Sequence, residues 1–282
     1  MIIPADPEPR TPNPERDRAP AVAGSFYPGT AREIDAALDQ LLERVHPKQT
    51  ALALVVPHAG WIYSGKVAGA VYGRVALPER CILLGPNHTG RGHEAAVTAS
   101  GRWCYPGGEL PIDQELARAL LETSEILSED ELAHRYEHAL EVQLPFLRRV
   151  APQIRFVPLT LGRTPLDFCR AIGEAVAHVV RSSPNPVCLI SSTDLNHYEP
   201  QAISNRKDRI AIEAILSLDA ERLHRAVMEH RITMCGIAPT TALLFALRAL
   251  GAESAHLVRY MTSGDVSGDL TRVVGYCGVT IT

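Results

Sequence analysis

Short apolar runs alternate along this chain with stretches of helical periodicity, and that alternation narrows the fold more than any other feature. Ala51–Val56 (ALALVV) and Cys81–Leu84 (CILL) read as buried strands, with small and apolar residues at helical spacing over Gly65–Val75 between them. Arg155–Leu161 and Val187–Ser191 read as two more strands flanking a helix at Leu166–Arg181. The last third supplies helices near Arg206–Leu218, Ala220–Glu229 and Pro239–Leu250, then strands near Ala255–Tyr260 and Val273–Ile281. This order predicts one α/β domain, a central sheet with helices on its faces.

The polar residues of interest fall at one recurring place. His58 follows ALALVVP, His88 follows CILLGPN, and Asp194 with His197 follows VCLISST. Each lies just past the carboxyl end of a predicted strand, where open α/β sheets bind ligands. Pro57 and Gly60 around His58, and Gly85-Pro86 before His88, end the strands sharply and leave the next side chains projecting. A single histidine there could be an ordinary hydrogen-bonded loop or core residue. The set His58, His88 and His197 points to a site, because metal centres gather ligands from strand ends distant in sequence.

Cys235 stands in ITMCGIAPTTALLFAL, with Pro239 suited to the first turn of the helix that follows. A thiol at a helix N-terminus is expected to have a lowered pKa and to act as a metal ligand or nucleophile; a buried inert cysteine is the alternative. His138 and Glu141, spaced i, i+3 in YEHALEVQLPFL, would share a helical face and could serve one site or form a surface pair. His46, His93, His134, His178, His224, His230 and His256 have no comparable context.

Composition excludes several classes. Of 282 residues 46% are hydrophobic and 21% charged, and the net charge of −4 gives no basic face for nucleic acid. No apolar stretch approaches a bilayer span, and no basic start with an apolar run marks a signal peptide, so a cytoplasmic protein with no membrane partner is expected. Six scattered cysteines without a CxxC pair are not a disulfide framework; Cys81, Cys188 and Cys277, in apolar runs, are expected to be buried hydrophobes. GxGxxG, GxxxxGK[ST] and GxSxG are all missing, which argues against those nucleotide and serine-hydrolase sites. The segment Ser263–Asp269 lacks EF-hand spacing. Residues 1–19, rich in proline and mixed charge, are expected to be a disordered or loosely attached tail ahead of a domain at 20–282.

PAVAGSFYP at Pro20–Pro28, PHAGWIYSG at Pro57–Gly65 and LLGPNH at Leu83–His88 resemble the Memo family, also called protein B of the AmmeMemoRadiSam system. So do EHALEVQLPFL at Glu137–Leu147, SSTDLNHY at Ser191–Tyr198 and MCG at Met234–Gly236. The resemblance implies a single domain with a mainly parallel sheet, like the large subunit of class III extradiol dioxygenases. It also implies AMMECR1-domain and radical SAM proteins as partners. By it, His58 and His88 match metal-binding histidines, Cys235 stands where the dioxygenases carry a glutamate, and His197 matches a site histidine, acid/base or fourth ligand. Asp194 would orient a histidine from behind the ligands. The resemblance implies copper or iron; by donor type two imidazoles and a thiolate suit copper and zinc and can hold iron. The expected activity is redox or oxidoreductase-like with an unassigned substrate. The alternatives are a zinc hydrolase, or a peptide-binding adaptor that uses Trp61 and Tyr63 as pocket walls, as the signalling role of animal Memo proteins suggests.

Overall fold

The computed structural model describes residues 17–282. The strands of its main sheet, numbered in chain order, are β1 (Ala53–Val56), β2 (Arg80–Pro86), β3 (Ala95–Val97), β4 (Ser128–Glu129) and β5 (Arg155–Leu161). They continue as β6 (Cys188–Ser192), β7 (His197–Glu199), β8 (Ala255–Thr262) and β9 (Val273–Ile281). Their order is β7-β9-β1-β6-β2-β5-β3-β4, with β8 also paired to β9. The centre, β1-β6-β2-β5, is parallel. Antiparallel pairings join β9 to β1, β7 and β8 on one side and β3 to β5 on the other.

β1, β2 and β6 are buried along their whole length, as a parallel sheet covered on both faces requires. Cys81, Cys188 and Cys277 are buried within it. The helix Ile237–Leu250 packs on β2 and β6 and against the helix Leu166–Ser182, while the helix Trp61–Arg74 covers β8 and β9. Among the described residues no helix is long and apolar enough to cross a membrane.

The expected elements are present, with shifted ends. The helix after β1 starts at Trp61 rather than Gly65, which puts Trp61 and Tyr63 on its first turn. Glu137 and His138 lie in irregular chain, Ala139 and Leu140 form a turn and Glu141–Gln143 a 3₁₀ turn, so His138 and Glu141 do not share an α-helical face. Pairing begins earlier than the expected domain boundary: Asp17 and Arg18 run parallel to Arg102 and Trp103 in a small side sheet completed by Gly108–Pro111. The reason is Arg18, whose guanidinium reaches the buried Glu141 at 2.7 Å. The rest of the expected tail, residues 1–16, lies outside the described residues.

Candidate metal centre

Three adjacent strands, β1, β6 and β2, end level with one another, since Val56 pairs with Ser192 and Leu84 with Ser191. The next residues of each strand therefore deliver His58, Asp194 and His88 to one edge. The ring centroids of His58 and His88 are 5.1 Å apart. His197 enters from the start of β7, where a bulge against β9 and a left-handed Tyr198 (φ 60°) turn the chain. Cys235 arrives from the opposite direction, directly ahead of the helix Ile237–Leu250. Gly236 allows that approach: its N–H donates to Thr193 Oγ1 at 3.1 Å, and a Cβ there would clash with the Thr193 side chain.

The hydrogen bonds define the tautomer of each imidazole. Ser192 Oγ gives its own proton to the Ala139 carbonyl, so at 3.1 Å it accepts from His58 Nδ1. Glu137 accepts from His88 Nδ1 at 2.8 Å, and the Thr233 carbonyl accepts from His197 Nδ1 at 2.8 Å. All three Nε2 atoms are then unprotonated, that of His58 facing the Cys235 sulfur. Burial, with His88 nearby, lowers the His58 pKa to about 3, so this ring is neutral. Burial also lowers that of His138, to about 4. Glu137 is held at about 2 although burial opposes it, because His88 hydrogen-bonds and faces it.

The Cys235 sulfur sits 3.2 Å from His58 Nε2 and accepts the Asp194 backbone N–H at 3.2 Å. Its thiol pKa is pushed up, by burial and then by Asp194, which corrects the expectation of a helix-lowered value. Desolvation of the charged form outweighs the helix dipole. The Cys235 thiol can donate to the lone pair of His58 Nε2 or to the Asp194 carbonyl at 3.5 Å, and a cation would replace that proton. Donor atoms of His58, His88 and Cys235 all lie within 4.8 Å of one another. An ion with bonds of about 2.0–2.3 Å spans its donors by up to about 4.6 Å, so the residues fit a soft or borderline metal.

Asp194 and His197 also group with Cys235 within 4.8 Å. Asp194 does not bond an imidazole Nδ1; its Oδ1 accepts the backbone N–H groups of His58 at 2.9 Å and Ala59 at 3.4 Å, orienting the loop instead. Burial raises its pKa. His138 stacks on His88, centroids 4.6 Å apart, and packs at a tilt against Phe26 at 4.4 Å. Glu141 points away: it accepts from Arg18, from the backbone of Ala21 and Val22, and from the Tyr27 hydroxyl. Trp61 is buried, packs at a tilt against Phe146 and donates to the Val142 carbonyl. Tyr63 lines the cleft above the donors, a space of about 830 Å³ also walled by Phe26, Tyr198 and Tyr276.

Sequence reasoning missed Glu137, Ser192, Gln143 and Phe26. Gln143 spans the Pro57 carbonyl at 2.8 Å and Ser192 Oγ at 3.0 Å, locking the turn that presents His58. Glu137 does have a signal, since it precedes His138 in the same motif.

A family model described as Memo-like protein matches residues 18–280. A MEMO1 family protein of Methanopyrus kandleri is 39% identical over 277 residues, covering 93% of this chain and 98% of its own length. The chain belongs to the Memo family. A MEMO1 family protein of Methanosarcina barkeri is likewise 39% identical, over 94% of this chain and 99% of its own, and one of Aquifex aeolicus 38%, over 94% and 98%. The fold alone is shared with an uncharacterized protein of Escherichia coli K12, at a TM-score of 0.54 and 14% identity over 79% of this chain and 98% of the other. Within this Memo chain, the residue groups described above are able to hold a metal ion.

Proposed function

We propose that this Memo protein is a metal-dependent oxidoreductase of the non-haem, dioxygenase-like type, with copper or iron held by His58, His88 and Cys235. One observation carries the reading: two imidazoles with unprotonated Nε2 atoms and one thiol converge at an open cleft of about 830 Å³. A bound copper or iron ion would supply one-electron redox chemistry and a Lewis-acidic position there.

The chain's own groups do the rest. His197, with Nδ1–H fixed on the Thr233 carbonyl, offers Nε2 to take a proton from an acidic group of the substrate. Asp194 holds the His58 loop in place. Phe26, Tyr63 and Tyr198 give the cleft aromatic walls that displace water from a planar ligand. Thiolate in place of a carboxylate softens the donor set, so zinc would fit the same residues without exchanging electrons.

Elemental analysis of protein prepared without chelators, followed by oxygen uptake with a catechol, tests this reading. Copper or iron near one per chain, lost in His88→Ala, with metal-dependent oxygen uptake, is the expected result. Zinc with no oxygen uptake would replace this reading with a hydrolase. No metal in any preparation would replace it with a binding adaptor.

A further inference from the structure

Glu137 is fully buried, yet among the described residues its ion-pair partners are His88 and His138, with no arginine or lysine beside its carboxylate. Glu141, four residues on and equally buried, shows the ordinary solution: Arg18 stands against it at 2.7 Å. A buried carboxylate without a fixed cation is costly, and the cost is met by hydrogen bonds and by any positive charge within reach. Glu137 has the hydrogen bonds. Its oxygens accept the backbone N–H groups of His88 at 2.6 Å and of His138 and Ala139 at 3.0 Å, besides His88 Nδ1. It lacks a fixed positive charge: a carboxylate oxygen lies within 4.8 Å of ring nitrogens of His88 and His138, and one route to a cation runs through the His88 ring to Nε2.

The His88 side chain is about a third exposed and sits on a turn, so little apart from Glu137 and the stacked His138 fixes its ring. The same segment leaves the carboxylate immobile, because its acceptors are occupied by backbone donors on both sides. This is the arrangement in which a carboxylate behind a histidine sets both its tautomer and its donor strength.

We propose that Glu137 is a positioning residue of the metal centre. It holds His88 as the Nδ1–H tautomer, aims Nε2 toward His58 and Cys235, and supplies negative charge that a bound cation balances. The inference rests on the reading of His88 as a metal ligand and deepens it: charge balance favours a divalent ion over a monovalent one. Glu137→Gln keeps an acceptor of the same size and removes the charge.

The test is competitive titration of zinc(II) and copper(I) into wild type, Glu137→Gln and Glu141→Gln under reducing conditions, with the ring ¹⁵N resonances of His88 recorded for these and for Glu137→Leu before metal is added. Glu137→Gln is expected to lose about 10–100-fold in zinc affinity and less in copper(I) affinity while keeping the Nδ1–H signature through its amide oxygen, whereas Glu137→Leu, with no acceptor, loses that signature. Glu141→Gln, which disturbs the same segment but touches no donor, keeps affinity and tautomer. Affinities for Glu137→Gln within about threefold of wild type, or an equal loss in Glu141→Gln, would overturn the proposal. Equal losses for both ions would overturn its charge-balance half. Failure of wild type to bind either ion would instead remove the metal-centre reading itself.

Discussion

Arg18 pins the N-terminal edge of the domain. Its guanidinium lies over the Trp103 ring at 4.3 Å and donates to Glu141 and to the carbonyls of His134 and Glu137. Arg18→Met leaves Glu141 buried without its cation, and the expected loss is about 3–5 kcal/mol in denaturant unfolding. Removal of residues 1–16 is expected to leave the unfolding midpoint unchanged, because their composition offers little to bury; a drop comparable to Arg18→Met would contradict that. At this scale the sequence was legible where a residue's place follows from its strand. His58, His88 and Asp194 could be located because a strand end locates them. The partners that define the tautomers of His58, His88 and His197, namely Ser192, Glu137 and the Thr233 carbonyl, come from other segments, and no local pattern announces such pairings. The Cys235 thiol misled for a related reason: its helix position is local, but its burial is set by the assembled fold.

The helices Leu166–Ser182 and Ile237–Leu250 pack tightly against each other at Gly173. A Cβ there would press on the Ala242 carbonyl, Phe245 Cβ and the Ala246 nitrogen, two of them backbone atoms that cannot step aside. Gly173→Ala gains about 1 kcal/mol in helix propensity but incurs overpacking of about 1–3 kcal/mol. A net destabilisation is therefore expected, read as a lower denaturant midpoint at unchanged m-value; stabilisation would show that the helices can part freely. Strands and long helices were readable because burial on both faces imposes continuous apolar runs, as in β2 and β9. The helix Ala31–Leu41 was overlooked although Thr30 and Glu33 form a capping pair, Thr30 Oγ1 accepting the Glu33 N–H at 3.4 Å. The two-residue strand Asp17–Arg18 has no such signal; it is held by long-range contacts, the Arg18–Glu141 and Arg102–Asp17 ion pairs among them.

Across the whole molecule, Asp208 ties the helix Gln201–Leu216 to the sheet, accepting the Tyr260 hydroxyl at 2.7 Å and the Asn196 N–H at 2.8 Å beside His197. Burial pushes its pKa up from 3.8 to about 6. A carboxyl raised in the folded state binds its proton more tightly there than in the unfolded chain. Its contribution is therefore complete below pH 4 and is lost as pH rises through about 6. Relative to Asp208→Asn, wild type should lose about 3 kcal/mol of unfolding free energy between pH 4 and 7, and parallel profiles would contradict the assignment. The sheet order also explains how the centre was visible in outline: β1, β6 and β2 are neighbours, so three strand-end residues scattered along the chain meet at one edge. The account as a whole stands on Cys235 joining His58 and His88 as a ligand, and competitive titration of copper, zinc and iron into wild type, Cys235→Ser and Cys169→Ser under reducing conditions tests it most directly. Cys169, buried in the helix Leu166–Ser182 away from the donors, serves as the control. Cys235→Ser should weaken binding on the order of a hundredfold or more, beyond what loss of a supporting residue costs, with Cys169→Ser matching wild type. Equal affinity of wild type and Cys235→Ser would remove the thiolate from the centre.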